Sequence, residues 1–239
     1  MALSSADLKL LAQYDTPTIA NVIELWDLRR RSAGYMDHRI RACFPEMPPI
    51  VGFAATATMR TAARKAEGTA YGSLDDQVAR FSELPGPPIV VFQDLDEPAA
   101  GATFGEIMCS TYQCFGAVGI ITSGPARDLD QVRRLGFPAF SNGVVCSHGY
   151  SHITAIHPTV CVGGMEVRPG DLLHADANGV CNIPTSIAPE VAQAAAEFVA
   201  AEAVVIDFAR SGNRDAKAYS AARRETMRLI EELGQRVRK

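Results

Sequence analysis

The chain lacks several signatures that would assign a chemistry at once. Its six cysteines, Cys43, Cys109, Cys114, Cys146, Cys161 and Cys181, include no Cys-x-x-Cys pair. That argues against a structural zinc site, and reduced thiols are expected. No two glycines are spaced Gly-x-Gly, which speaks against a Rossmann dinucleotide fingerprint and a methyltransferase-type glycine loop. No Gly-Lys-Ser/Thr ending is present, so no Walker-type phosphate loop is expected. Net basic charge is also missing. A formal charge of -4 disfavours nucleic acid as a partner, because phosphate binding needs a basic face. No apolar run approaches the ~20 residues that span a bilayer. The first residues, Met1 to Asp7, lack a charged segment followed by an apolar one, so a signal peptide is not expected and a cytoplasmic protein without membrane contact is. Arg29-Arg30-Arg31 is the one short basic run, read as a solvated helix end or a contact for an acidic partner.

What is present is an ordinary globular balance: 239 residues, 47% hydrophobic and 21% charged. Thr16 reads as an N-cap with Pro17 at the first helical position, followed by Ile19, Val22, Ile23 and Trp26 on one helical face. Val51–Met59 reads as a strand and Leu74–Leu84 as a helix broken by Pro85-Gly86-Pro87-Pro88. Ile89–Phe92 is a short strand. Gly105–Phe115 is a helix and Ala117–Thr122 a strand. Asp128–Leu135 is a helix, and Ala139-Phe140 starts another strand. This alternation is the βαβ pattern of a parallel or mixed sheet. Between Val160 and Pro184, short strands are separated by the turns Gly163-Gly164, Pro169-Gly170 and Asn178-Gly179. From Pro189 the chain reads as helical, with Gly212-Asn213 between two helices. Met227, Ile230, Leu233 and Val237 form a narrow apolar stripe that predicts packing on the domain or on a neighbouring subunit. The expectation is one domain over 1–239. Its core is at about 50–205, with N-terminal helices in 1–45 and a C-terminal helical extension in 206–239.

The residues that point to chemistry are Glu106, Arg127 and Asp128. Asp128 follows a strand and opens a helix, so an N-cap role stabilising that helix by ~1 kcal/mol is the simplest reading. Arg127 and Asp128 also lie beyond the C-terminal end of a strand, where open α/β sheets bind ligands. Glu106 opens the preceding helix, whose first N–H groups at Glu106, Ile107 and Met108 can hold a carboxylate. With the planar fork of Arg127, they would clamp a substrate carboxylate while its keto oxygen faces a metal on Asp128. A rival metal site at His148, His152 and His157 is weaker. Gly149 stands where a His-Glu-x-x-His motif needs its glutamate, and this stretch reads as a loop near the site mouth. Gly149-Tyr150-Ser151-His152-Ile153 misses the nucleophile elbow Gly-x-Ser-x-Gly at its last position.

Gly105-Glu106-Ile107-Met108, Gly124-x-x-Arg127-Asp128, Leu135-Gly136-Phe137-Pro138, Val167-x-Pro169-Gly170-Asp171-Leu172 and Asp176-x-x-Gly179-Val180 together resemble the family of regulator of ribonuclease activity A and the 4-hydroxy-4-methyl-2-oxoglutarate aldolases. The resemblance runs from about 50 to 205. It implies an α/β fold of the swivelling β/β/α type with added N- and C-terminal helices. It also implies a homotrimer or homohexamer with its site at the subunit interface. By resemblance, Asp128 binds Mg²⁺ (Mn²⁺ being the alternative), Arg127 binds the pyruvate part of the substrate, and Glu106 holds the metal through water. Gly105 to Met108 supply backbone contacts, and Glu202 is the acid contributed by a neighbouring subunit. The implied activity is class II cleavage of a 4-hydroxy-2-keto diacid to pyruvate and a second keto acid, with oxaloacetate decarboxylation alongside. The alternative is a non-catalytic protein that binds and regulates a ribonuclease. Two departures from the family pattern, Thr122-Ser123 and the loop Ser147 to Thr154, are expected to sit at the substrate mouth.

Overall fold

The structure is a computed structural model that describes residues 3–63 and 74–239. Ser4 and Asp7 form a capping box that opens α1 (Ser5–Leu11). The next helix, α2 (Thr16–Ile23), is capped by Asp15 rather than Thr16. The Asp15 carboxylate accepts from Thr18 N at 2.8 Å. Thr16 is occupied elsewhere: its N–H donates to Asp176 Oδ2 at 2.8 Å, and its hydroxyl lies 2.9 Å from His174 Nδ1. Both contacts tie α2 to the sheet. Ile19, Val22 and Ile23 are buried as their spacing predicts. A 3-10 turn, Glu24–Trp26, ends the helix on Asp27 in the left-handed region.

The sheet begins with β1 (Arg41–Ala42) and β2 (Ile50–Arg60). The predicted helix from Leu74 is shorter than expected. It is α3 (Leu74–Ala79), tightening into a 3-10 turn at Arg80–Glu83 ahead of the proline-rich break. Then follow β3 (Pro88–Asp94), α4 (Glu106–Cys114), β4 (Gly119–Thr122), α5 (Leu129–Arg134) and β5 (Ala139–Ser141). The stretch read as a loop to Thr154 instead enters a strand, β6 (His152–Ile156), which pairs antiparallel with the second half of β2. Ile153 is buried against the core, and that tertiary contact outweighs the polar run before it. The remaining strands are β7 (Val160–Val162), β8 (Met165–Val167), β9 (Leu172–Asp176) and β10 (Gly179–Ile183). The chain closes with α6 (Ala188–Arg210) and α7 (Ala216–Val237).

The sheet runs in the order β1-β5-β4-β3-β2-β9-β10. The contiguous run β2-β3-β4-β5 is parallel, as the βαβ alternation predicts. β2 is the hinge of this arrangement. One edge pairs with β3 from Phe53 to Met59, while the other pairs first with β9 and then with β6. A strand enclosed on both edges and faces reads as a near-continuous apolar run, and in β2 every residue except Arg60 is buried.

Period-2 alternation sends neighbouring side chains into different cores. Ala55, Ala57 and Met59 join the helical layer of α3 and α4, whereas Ile50 and Ala54 meet the β7–β8 hairpin. A third cluster binds α1, α2, α6 and α7 to the sheet through Val51, Phe53 and Leu172. In the last helix Leu233 is buried, and Ile230 and Val237 are partly buried in that cluster, whereas Met227 is 58% exposed. The stripe therefore packs on its own chain along most of its length. The architecture matches the α/β expectation, with helices added at both ends. Among the described residues, no helix is long and apolar enough to cross a membrane.

Candidate active site

Beyond the C-terminal ends of β3, β4 and β5, three extended segments continue side by side. Ala126 bridges Phe104 on one flank and Val144 on the other. Thr103 N donates to Pro125 O at 2.8 Å, and Arg127 N to Phe104 O at 3.2 Å. This lattice fixes Arg127 and Asp128 against the start of α4. Glycine is needed at the crossing. A Cβ on Gly124 would lie 2.3 Å from Thr103 Oγ1, and one on Gly105 would lie 2.5 Å from Asp128 Oδ2 and 3.1 Å from Arg127 Nε.

Asp128 occupies the N-cap position of α5, yet its side chain makes no capping bond there. Its backbone is left-handed, with φ 55° and ψ 38°, a conformation that aspartate tolerates better than most non-glycine residues. The carboxylate reaches across to the neighbouring helix, where Oδ2 accepts from Glu106 N at 3.1 Å. The predicted cap is therefore a cap on α4, not on its own helix. Gly105, the N-cap residue of α4, has no side chain to do this. Arg127 Nε stands 3.7 Å from the same Oδ2.

The two side chains are 25% and 33% exposed, so both are open to a ligand while anchored from behind. At a helix start the first N–H groups have no intrahelical acceptor. With Glu106 N–H taken by Asp128, those of Ile107 and Met108 remain beside Arg127. Glu106 and Ile107 project outward, Ile107 being 63% exposed, whereas Met108 is buried.

The Asp128 carboxylate is the group here that could take a divalent cation. The recorded contacts of the Asp128 carboxylate, from Glu106 N–H and Arg127 Nε, fall on Oδ2. Oδ1 is left without a protein partner among the described residues. One hard carboxylate oxygen with water completing the shell suits Mg²⁺. Among the described residues no three His, Cys, Asp or Glu side chains gather into a denser cluster. The histidines of the rival site do not converge. His148 Nδ1 contacts Gly149 O at 2.7 Å, His152 Nδ1 contacts Tyr150 O at 2.8 Å, and His157 Nδ1 lies 3.4 Å from Glu83.

His148 instead helps to line a small cavity of about 40 Å³ behind Arg127, with Met59, Gly105, Met108 and Ser151. That volume holds a water or two, so any larger ligand would have to lie on the outer face of the Arg127–Asp128 pair. Ser151, at the failed nucleophile elbow, donates to Ala102 O at 2.9 Å and braces the loop.

Two expectations about the mouth are corrected. Thr122 is fully buried, donating to Thr103 Oγ1 at 3.0 Å and accepting from Gly124 N at 2.9 Å. It shapes the turn into the site and does not meet a ligand. Ser123 Oγ accepts from Asp94 N at 2.9 Å and lines a different, polar cavity of about 390 Å³ that also includes Gln93, Asp94 and Asn142. Burial raises the Asp94 carboxyl above its usual range. No local stretch of sequence marks this cavity, because its lining comes from separate strand ends and from the β7–β8 turn.

Glu202, on α6, is half-buried. Burial first, and then the charge of Asp15, push its carboxyl upward. It therefore belongs, within the chain, to the α2–α6 face and not to the Arg127–Asp128 surface.

Comparison with known proteins bears on the family and the fold. Residues 19–181 match the RraA-like family model, Aldolase/RraA. The match starts within α2 and stops short of α6, so it begins earlier and ends earlier than the resemblance by motif. A Halalkalibacterium halodurans protein described as "Putative 4-hydroxy-4-methyl-2-oxoglutarate aldolase" is 30% identical over 118 residues, 49% of this chain and 55% of that protein. The chain thus spans about half the length of this curated relative. Among solved structures, an uncharacterised protein from Pseudomonas syringae pv. tomato superposes with a TM-score of 0.71 at 21% identity, covering 93% of this chain and 95% of that one. RraAS2 of Streptomyces coelicolor, described as an unusual member of the RNase ES inhibitor RraA protein family, gives 0.66 at 22% identity over 87% and 98% of the two chains. At these identities the likeness is one of fold. With more than half of its length matched by the family model, the chain belongs to the RraA-like family, which holds both aldolases and ribonuclease regulators.

Proposed function

We propose that the chain is a divalent-metal-dependent carbon–carbon lyase. It would cleave a 4-hydroxy-2-keto diacid to pyruvate and a second keto acid, and would decarboxylate oxaloacetate as a side activity. The observation that carries this reading is the convergence of Arg127, Asp128 and the α4 N-terminus on one partly open surface. The aldolase named among its relatives adds weight. Arg127 would take the substrate carboxylate through its guanidinium fork, and the N–H groups of Ile107 and Met108 would add neutral donors at the positive end of the helix dipole. Asp128 would hold Mg²⁺, or Mn²⁺ in its place. When bound, the ion supplies Lewis-acid polarisation of the 2-keto group and stabilises the enolate of pyruvate.

Cleavage removes the 4-hydroxyl proton and breaks the C3–C4 bond. The bond's electrons remain on the pyruvate fragment as its enolate, and C4 becomes the carbonyl of the second product. Glu106, exposed in the first turn of α4, would receive that proton through water. Glu202 would assist from a neighbouring copy, with the site at the subunit interface of a trimer or hexamer. Oxaloacetate loses CO₂ through the same enolate, so the same groups serve both reactions.

The test is pyruvate release from oxaloacetate and from 4-hydroxy-2-keto diacids, with Mg²⁺ and with EDTA. Turnover abolished by EDTA and restored by Mg²⁺ is the expected outcome. If no substrate of either kind gives EDTA-sensitive turnover, the lyase reading fails and binding to a ribonuclease becomes the better account.

A further inference from the structure

We propose that the pocket between the Glu24–Trp26 turn and β10 binds a phosphate-type dianion, held by Arg29 and Arg30. The pocket encloses about 110 Å³ and includes Glu24, Arg29, Arg30, Arg31, Tyr35 and Cys181 in its wall. It shares no residue with the cavity behind Arg127. The proposal is independent of the lyase reading.

Arg29 is the anchor. Its guanidinium donates to Asn182 Oδ1, to Asn182 O at 3.0 Å and to Gly34 O at 3.4 Å. All of these acceptors are neutral. Among the described residues, no carboxylate forms an ion pair with it, and its one recorded charge neighbour is the Cys181 thiol. That thiol is buried, with its pKa pushed up to about 12, so it is neutral near pH 7. A guanidinium half withdrawn from water is ordinarily matched by an anion. The polar framework here holds the group without neutralising it, and three bonds leave part of its set of five N–H donors free.

The cradle is rigid. Gly34 has φ +86°, and a Cβ there would fall 1.9 Å from Arg29 Cζ, so the planar group lies directly on bare backbone. The Gly34 segment is itself pinned to β10, since Asn182 N donates to Gly34 O at 3.0 Å and Met36 N to Val180 O at 2.9 Å.

The charge count selects the ligand. Arg31 is paired with Glu24 at 3.1 Å. Arg30 is exposed and has no ion pair among the described residues. Two cations, Arg29 and Arg30, therefore remain uncompensated at one pocket. A phosphate group, close to a dianion at pH 7, balances both and offers several acceptor oxygens to the two forks. A lone carboxylate would leave one positive charge over.

Equilibrium dialysis of the full chain against radiolabelled inorganic phosphate, at ionic strength held constant with chloride, tests the proposal. The expected result is saturable binding that survives Arg127→Ala and weakens about tenfold in Arg29→Gln and in Arg30→Gln. Trp26, the one tryptophan of the chain and three positions before Arg29, should change fluorescence over the same phosphate range. The Arg30 side chain is exposed and makes no recorded bond among the described residues, so Arg30→Gln carries the test if Arg29→Gln fails to fold. Absence of saturable binding in the wild type overturns the proposal, as does undiminished binding in Arg30→Gln. Loss of binding in Arg127→Ala would move the anion to the other arginine. Displacement of phosphate by equimolar acetate would overturn the choice of a dianion.

Discussion

Asp128 combines two roles that one pair of substitutions separates. As a hydrogen-bond acceptor it caps α4 through Glu106 N–H, and as a carboxylate it is the proposed metal ligand. Asparagine keeps the acceptor and loses the charge. Asp128→Asn is therefore expected to retain the wild-type melting temperature and lose most pyruvate formation. Asp128→Ala loses both and costs a further ~0.5–2 kcal/mol of stability. Thermal unfolding beside the coupled pyruvate assay measures the two effects. Equal stability loss in both variants would show that charge, not hydrogen bonding, holds α4. Arg127→Ala should likewise abolish most turnover, since alanine offers the substrate carboxylate no donor.

At the scale of elements, the site depends on how closely the α4 start and the strand after β4 approach. Gly105→Ala puts a methyl group into the space of Asp128 Oδ2. It is expected to cut kcat/KM at least ~100-fold, because an ångström of displacement is costly at a positioned site, while far-ultraviolet circular dichroism stays unchanged. Near-normal kinetics in this variant would refute the tight crossing. Thr122 makes the opposite case. Its hydroxyl is buried between Thr103 and Gly124, so Thr122→Val should cost ~1–3 kcal/mol in a denaturant titration. It should leave the spectrum of accepted diacids as it was. A changed substrate preference would return Thr122 to the mouth.

The molecule as a whole bears on pH and on assembly. Burial lowers the pKa of His174, and also that of His157. Both lie below the usual ~6.5 when folded, so the unfolded chain binds more protons in the window beneath that value. Stability from these groups is full above about 6.5 and falls as pH drops through the lowered folded pKa values. Chemical denaturation between pH 5 and 7 should show that decline, with a shallower slope in His157→Gln. A flat profile would contradict it.

Assembly decides Glu202. It lies on the α2–α6 face of its own chain, so a role at Arg127–Asp128 requires a second copy. Mixed oligomers of Arg127→Ala and Glu202→Gln chains should then regain activity that neither parent has, because some interfaces carry two intact partners. Failure of complementation would remove Glu202 from the site.

Local sequence went far with elements that local physics controls. The amphipathic face of α2, the parallel run of strands beyond residue 50 and the glycine turns at 163-164, 170 and 179 are each set by periodicity or by positive φ. Such signals survive folding unchanged. The Gly105–Met108 and Arg127-Asp128 motifs likewise marked the candidate site. Tertiary structure decided the rest. Thr16 gave up the cap because His174 and Asp176, ~160 positions away, claim its hydroxyl and N–H. His152 to Ile156 became a strand because β2 offers a free edge there. Asp128 turned from its own helix to α4 because Gly105 leaves that helix start uncapped and leaves room for a carboxylate. In each case the deciding partner is remote in the chain, so no window of sequence contains it.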